Sequence, residues 1–296
     1  MNLIKRLNRA LDYIENNLDK ELSVDEIAKE AYISAYHFQS MFAILTDITL
    51  IEYIRRRRLT QAAFELQSNA KVIDVALKYG YSSPDSFTRA FTKLHGVNPS
   101  TAKREDTQLK LYSRISFQIN IKGDVEMNYK IVKKESFSMY GIERVINTVK
   151  GENYKTIPQF WDDTMEDGSF RRLLESTNMK LDGSYQGITQ VNAIMCYRDT
   201  GKDTFPYLIG AFVDDLCNTD GYLKVDIESL TWAIFRTEDH KSDETVIKIQ
   251  DLWRRIYSEW LPNSGYEIID GPNLELYGSS VNKLEYSEVW LPVKKI

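Results

Sequence analysis

The sequence predicts a two-part, multidomain chain: an all-α segment holding a double helix-turn-helix, then an α+β segment built from two strand–helix–hairpin repeats. Three observations predict it. First, Val24-Asp25-Glu26-Ile27-Ala28 to Phe38-Gln39-Ser40-Met41-Phe42 matches Val72-Ile73-Asp74-Val75-Ala76 to Phe87-Thr88-Arg89-Ala90-Phe91, about 48 residues on. Second, all five tryptophans (Trp161, Trp232, Trp253, Trp260, Trp290) lie after residue 150. Third, apolar residues recur at helical spacing in the first hundred residues and at alternating spacing after residue 112.

Leu3, Leu7, Leu11, Ile14 and Leu18 form one helical face. Ser23 with Glu26 three residues on reads as a capping box that starts the next helix. A helix from about Ser34 turns Phe38, Met41, Phe42 and Leu45 inward and Ala35, Tyr36, Gln39 and Ser40 outward. Leu50 to about Gln67 reads as a longer helix. At 1.5 Å per residue it spans about 27 Å, enough to set two flanking units near one DNA helical repeat apart, roughly 34 Å. In the second unit Gly80 makes the turn and Ser82-Ser83-Pro84 opens the helix, Pro being suited to a first helical turn. Phe87, Phe91 and Leu94 face in; Asp85, Thr88, Arg89 and Lys93 face out, and Gly96-Val97-Asn98-Pro99 ends the helix. His37 and His95 read as packing or hydrogen-bonding residues.

Charge follows the same division. Residues 1–110 hold 16 Lys/Arg against 14 Asp/Glu, a balance of +2; the rest hold 22 against 29, a balance of −7, which together give the net −5. Arg55-Arg56-Arg57-Arg58 is the densest basic run. No run of 18 apolar residues suggests a spanning helix, and the N-terminus lacks a signal-peptide core. Cys196 and Cys217 have no metal-type spacing. No cofactor or metal is expected, and a cytoplasmic, bacterial protein is.

Residues 3–104 resemble the DNA-binding domain of the AraC/XylS family. The resemblance rests on Ala28, Ile33-Ser34, Phe38, Phe42, Tyr53-Ile54-Arg55, Arg58-Leu59, Ala62, Ile73, Ala76, Gly80-Tyr81-Ser82, Phe87, Arg89-Ala90-Phe91 and Gly96-Val97-Asn98-Pro99. Ala31 departs from a frequent glycine, and Ser40 from an arginine that some members aim at a base. The resemblance implies double-stranded DNA as a partner, with RNA polymerase beside it. By position, Tyr36, Gln39 and Ser40 would read bases in the first unit, and Asp85, Thr88 and Arg89 in the second; Arg89 has the fork for guanine. Arg55, Arg57, Arg58 and Lys93 would meet phosphate. Four consecutive helical residues fan over 300°, so the arginines cannot all point one way. Two reading heads in one chain suffice for a monomer on about 15–20 base pairs.

The domains expected are 1–106 for DNA binding, a linker at 107–111, and 112–296 for the α+β part. In the latter, Ile115, Phe117, Ile119 and Ile121 alternate as a strand. The first repeat runs strand 129–146, helix about 155–177, strands near 185–198 and 204–213. The second runs strand 223–236, helix about 243–259, strands near 266–278 and 284–293. Tyr207 is matched with Tyr286, Ile209 with Glu288, and Ile194-Met195-Cys196-Tyr197 with Leu274-Glu275-Leu276-Tyr277. A cleft between the two helices is the expected small-molecule site.

Tyr286, Glu288 and Trp290 alternate onto one face. A carboxylate between aromatics is costly to bury unless a cation or donor meets it, and a flat cationic ligand answers both. Residues 127–296 resemble a GyrI-like effector-binding domain, which in Rob-like regulators is fused to AraC-type domains. Trp260-Leu261-Pro262-Asn263-Ser264-Gly265-Tyr266-Glu267 and Ser287-Glu288-Val289-Trp290-Leu291-Pro292-Val293 carry that resemblance. It implies a strand glutamate that meets an amphipathic cation, a role assigned to Glu288 with Glu275 as rival. Tyr140, Phe160, Trp161, Tyr207, Trp232, Tyr257, Trp260, Tyr286 and Trp290 are the expected walls. The function implied is a DNA-binding transcriptional regulator that responds to a small ligand and is not an enzyme. The alternatives are a hydrolase of reactive molecules, with Glu288 and Tyr207 or Tyr286 as acid and base, and a sequestering module.

Overall fold

A computed structural model describes residues 3–104, 106–118, 126–148, 152–178, 184–185, 188–189, 191–201, 204–280 and 284–296. The chain divides into two compact units, Met1–Ile119 and Asn120–Ile296.

Unit 1 is helical: α1 (Leu3–Asn16), α2 (Val24–Ala31), α3 (Ala35–Thr46), α4 (Leu50–Gln67), α5 (Val72–Lys78), α6 (Pro84–His95) and α7 (Pro99–Ala102). The pairs α2–α3 and α5–α6 are the two helix-turn-helix units, with α4 between them. Polar residues open the helices: the side chains of Ser34, Thr49, Ser83 and Asn98 each accept a backbone N–H from the turn that follows. Gly96 closes α6 at φ 81°, a left-handed conformation that suits glycine. One expected cap is absent. Helix α2 begins at Val24, but the Ser23 side chain accepts no capping bond, and Glu26 accepts from Tyr13 Oη at 3.2 Å instead. Phe38, Phe42, Phe87 and Phe91 are fully buried, as their spacing predicts.

The strand expected at 115–121 does not form in its described part. Residues 111–118 carry no regular structure and belong to unit 1 rather than to the sheet; Ile119 and Ile121 lie outside the described residues. The boundary read at 111/112 therefore differs from the division after residue 119.

Unit 2 holds β1 (Asn128–Lys134), β2 (Phe137–Asn147), α8 (Asn153–Glu166), α9 (Ser169–Ser176), β3 (Ser184–Tyr185), β4 (Ile188–Thr189), β5 (Asn192–Met195), β6 (Thr204–Phe212), β7 (Leu223–Ile227), β8 (Leu230–Arg236), α10 (Thr245–Arg255), β9 (Tyr266–Ile268), β10 (Asn273–Ser279) and β11 (Glu285–Lys295). A five-residue π-turn, Ile256–Trp260, continues α10. Each long first strand of the expected repeats is in fact two, broken at Glu135-Ser136 and at Glu228-Ser229. The helix expected at 155–177 also divides, at Gly168 with φ 75°.

All ladders are antiparallel, in the order β1-β8-β11-β10-β5-β6-β2-β7. That order is a palindrome of the two repeats: each lends its first strand (β1, β7) to the other's edge. The register makes the matching explicit. Lys134 pairs with Leu230 and Ile227 with Phe137, so Phe137 matches Leu230 and Gly141 matches Ile234. Gly141 pairs with Gly210 and Ile234 with Trp290, so Leu208, not Ile209, is the counterpart of Glu288. Likewise Ala193, not Met195, matches Glu275, and these two sit opposite each other at the centre of the sheet.

The two faces differ. Helices α8, α9 and α10 pack on the face carrying Tyr140, Arg144, Tyr207 and Glu275. The other face holds a second core of Met139, Ile194, Leu208, Trp232, Leu274, Leu276 and Trp290. There Phe137 of β2 meets Trp232 of β8 at 6.1 Å, although these strands lie near opposite ends of the order. The sheet is therefore strongly curled around this core. The Gly141–Gly210 pair permits the close approach: a Cβ on Gly141 would lie 2.1 Å from the Ile209 carbonyl oxygen. Among the described residues no helix is long and apolar enough to cross a membrane.

Candidate functional site

Two surfaces carry chemistry, one in each unit. In unit 1 the buried Phe pairs leave the opposite sides of α3 and α6 free. Tyr36, Gln39 and Ser40 are partly accessible on α3; on α6, Asp85, Arg89 and Lys93 are exposed and Thr88 is partly so. Asp85, Arg89 and Lys93 follow one another at four-residue intervals, so they form one stripe.

The arginine run divides by helical geometry. Arg57 is buried, and its guanidinium grips Glu15 of α1 with bonds of 2.9 and 2.8 Å. It also donates to the Tyr112 carbonyl, while Tyr53 Oη donates to the same carboxylate at 2.7 Å. Arg58 donates to the carbonyls of Leu18 and Lys20, and burial lowers its pKa. Both were expected at phosphate; both instead staple α4 to the first helices. Arg55 and Arg56 pair with Glu52 at 2.7 and 2.6 Å and stay partly exposed. His37 meets Ser34 Oγ at 2.9 Å, and His95 packs tilted against Phe91 at 4.2 Å with Nε2 3.1 Å from the Leu59 carbonyl.

In unit 2 the helix-side face gathers an aromatic site around Glu275. Trp253 Nε1 of α10 donates to Glu275 Oε1 at 2.8 Å, and Tyr277 Oη donates to Oε2 at 3.3 Å. From α8, Trp161 Nε1 donates to Tyr207 Oη at 3.0 Å and packs edge-on to Tyr277 at 5.9 Å. Phe160 meets Tyr207 at 6.3 Å. Tyr257, in the π-turn, lies against Trp253 at 5.5 Å. Burial raises the Glu275 pKa above the usual carboxylate range, and the two donors only partly offset it. The same burial, with Glu275 as neighbour, raises Tyr207 and Tyr277. A carboxylate held among aromatics, whose donors among the described residues are neutral, can accept a cation.

Glu288 is elsewhere. It shares the curled inner face with Leu276 and Trp290, and accepts from Trp290 Nε1 at 2.7 Å. Tyr286 lies under Arg236 at 4.0 Å, and Trp232 and Trp290 meet each other at 5.9 Å in the second core. Glu288, Tyr286, Trp232 and Trp290 are thus on the wrong face for a cleft between helices. Tyr140 is on the right face but turns to α9, with its hydroxyl 3.0 Å from Ser176 Oγ; like Phe160, Tyr207 and Tyr257 it is fully buried. Trp260 packs on Phe235 and Tyr266. Of the expected walls, Tyr207 neighbours Glu275, while Trp161, Phe160 and Tyr257 pack on the residues around it: Trp161 on Tyr207 and Tyr277, Phe160 on Tyr207, Tyr257 on Trp253. Trp253, which the sequence reading names only among the five tryptophans, completes the site. Its signal was its place four residues before Tyr257 on the face turned to the sheet.

Known proteins match both units. Residues 130–293 match the family model described as integron-associated effector binding protein, and residues 27–105 match a helix-turn-helix domain. The transcriptional activator AarP of Providencia stuartii is 42% identical over 102 residues, covering 34% of this chain and 76% of that protein. The right origin-binding protein of Escherichia coli K12 is 30% identical over 159 residues, 52% of this chain and 54% of its own length. Among solved structures, SAV2435 bound to tetraphenylphosphonium is 19% identical with a TM-score of 0.43, over 57% of this chain and 94% of that one. The chain belongs to the integron-associated effector binding protein family, carries that domain behind an AraC-type helix-turn-helix domain, and is a DNA-binding transcriptional regulator that responds to a ligand.

Proposed function

We propose that unit 2 takes an amphipathic aromatic cation at Glu275, and that unit 1 reads DNA through α3 and α6. The observation that carries the ligand reading is the pairing at Glu275: its bonds are to neutral donors, Trp253 and Tyr277, while its surroundings are aromatic rings from α8, α10 and two strands. A lipophilic cation would supply the missing charge and stack on those rings. The reading is binding without turnover, with RNA polymerase as the partner of the DNA-bound form.

The test is a titration with tetraphenylphosphonium and with its anionic counterpart tetraphenylborate, followed by tryptophan fluorescence. All five tryptophans lie in unit 2, so the signal reports on that unit alone. Saturable quenching by the cation and none by the anion is expected; equal binding of both would overturn the reading.

Two further results are expected. The raised Glu275 pKa has a sign: protonation removes the charge the cation needs. Affinity should hold on the alkaline side of that pKa and fall as pH drops through it, at a pH above the ordinary carboxylate range. A pH series of the same titration checks this. On DNA, Lys93→Ala should weaken binding to all sequences and reduce the salt slope by about one. Arg89→Ala should relax base preference at one position by roughly 1–3 kcal/mol. Selection from random duplexes with wild type and variant measures both.

A further inference from the structure

The segment between the two units is not a bare tether. Residues 111–118 run along unit 1 and are held there by side chains rather than by a partner strand. The Asn8 amide of α1 makes a reciprocal pair with the Phe117 backbone: Nδ2 donates to its carbonyl at 2.8 Å, and Oδ1 accepts its N–H at 2.9 Å. The Tyr112 N–H donates to Thr60 Oγ1 at 3.2 Å, and the Tyr112 carbonyl accepts from Arg57. The Ile115 N–H reaches Tyr53 Oη at 3.4 Å, and Arg114 pairs with Asp12 at 2.6 Å. The Phe117 ring packs edge-on against Phe42 at 6.2 Å.

Phe42 is the link to function. It is a fully buried residue of α3, and it also packs on Tyr53 at 5.5 Å. The segment thus touches the inner side of the helix whose outer side carries Tyr36, Gln39 and Ser40. Its anchors are side-chain bonds, the one to Asp12 exposed and the others partly buried. Such a segment can open locally at far lower cost than the helices it lies on. It is also the stretch of unit 1 that leads into unit 2.

We propose that residues 111–118 are a releasable brace: docked, they hold α3 in its DNA-reading position, and ligand occupancy of unit 2 acts on DNA affinity by shifting the brace between docked and released. The ligand half of this rests on the proposed function above. Docking and DNA binding must then be reciprocally linked. DNA stabilises the docked brace by the same factor as the docked brace strengthens DNA binding.

The full chain serves for the test, with a duplex selected from random-sequence DNA and tetraphenylphosphonium as the probe cation. Hydrogen exchange over 111–118 should slow when the duplex binds. Asn8→Ala, which cuts only the Phe117 backbone pair, should weaken duplex binding several-fold and shift cation affinity by no more than the factor by which the cation changes duplex affinity in wild type. Phe117→Leu keeps an apolar anchor and should fall between it and wild type. In wild type the cation should change duplex affinity about 5-fold or more, and in Asn8→Ala that ratio should shrink toward one. Exchange unchanged by DNA, together with wild-type duplex affinity in both variants, would overturn the brace. A cation that fails to bind wild type would overturn the ligand reading, and the DNA-linked exchange would still decide the brace.

Discussion

Glu275→Gln is expected to lower affinity for a lipophilic aromatic cation by about 10- to 150-fold, the equivalent of roughly 1.5–3 kcal/mol for one interaction with a charged group. The variant keeps an oxygen for Trp253 Nε1 and nearly the same volume, so the rings around it stay in place. What it removes is the charge. Glu288→Gln should leave cation affinity unchanged, because that carboxylate lies on the opposite face with Trp290. A second readout separates the two further. Burial raises the Glu275 pKa in the folded protein, so the folded state disfavours its ionised form. That group's contribution to stability is present at low pH and is lost as pH rises through its folded pKa. Removing the charge should therefore raise the stability of unit 2 on the alkaline side of that pKa while it weakens binding. A thermal melt beside the titration shows both at once.

Arg57→Ala is expected to unfold unit 1 more readily rather than merely weaken DNA contacts. The guanidinium and the Glu15 carboxylate are only 9% and 11% exposed and are joined by parallel bonds. Removing one partner leaves the other charge buried, at a cost of about 3–5 kcal/mol. The Tyr112 carbonyl loses its donor as well. The melting midpoint of the helical unit should fall by roughly 10 °C or more. Arg55→Ala removes an exposed pair with Glu52 and should change stability by about 0.5 kcal/mol or less. If Arg57 met phosphate, the pattern would be reversed: wild-type stability, with a salt slope reduced by about one.

These two sites also show what the sequence could and could not carry. The helix-turn-helix units were legible because helical burial has a strong local period. Phe38, Phe42, Phe87 and Phe91 sit where that period puts them. The arginine run was only half legible. Its fan over the helix was foreseeable, but Glu15, the partner that claims Arg57, lies 42 residues away. The segment at 111–118 alternates like a strand, yet no strand pairs it; side chains of α1 and α4 satisfy its backbone instead.

In unit 2 the repeat was legible and its register was not. The alignment that set Ile209 against Glu288 was off by one, since Leu208 is the true counterpart. One residue of slip in a strand moves every side chain to the other face; the alternation of Tyr286, Glu288 and Trp290 shows that they share a face but not which face the helices cover. The alignment at Glu275 was off by two, against Ala193 rather than Met195. A slip of two keeps the face, so that match still sets Glu275 and its counterpart on one side of the sheet. Glu135-Ser136 and Glu228-Ser229, the matching breaks after β1 and β7, were the signal that would have fixed the register.

The most direct test of the account is the duplex affinity of the full chain, with and without saturating tetraphenylphosphonium, in wild type and in Glu275→Gln. The account predicts a cation-dependent change of about 5-fold or more in wild type and none in the variant. A wild type that binds the cation yet holds DNA equally tightly in both conditions, or a variant that responds as wild type does, would contradict it.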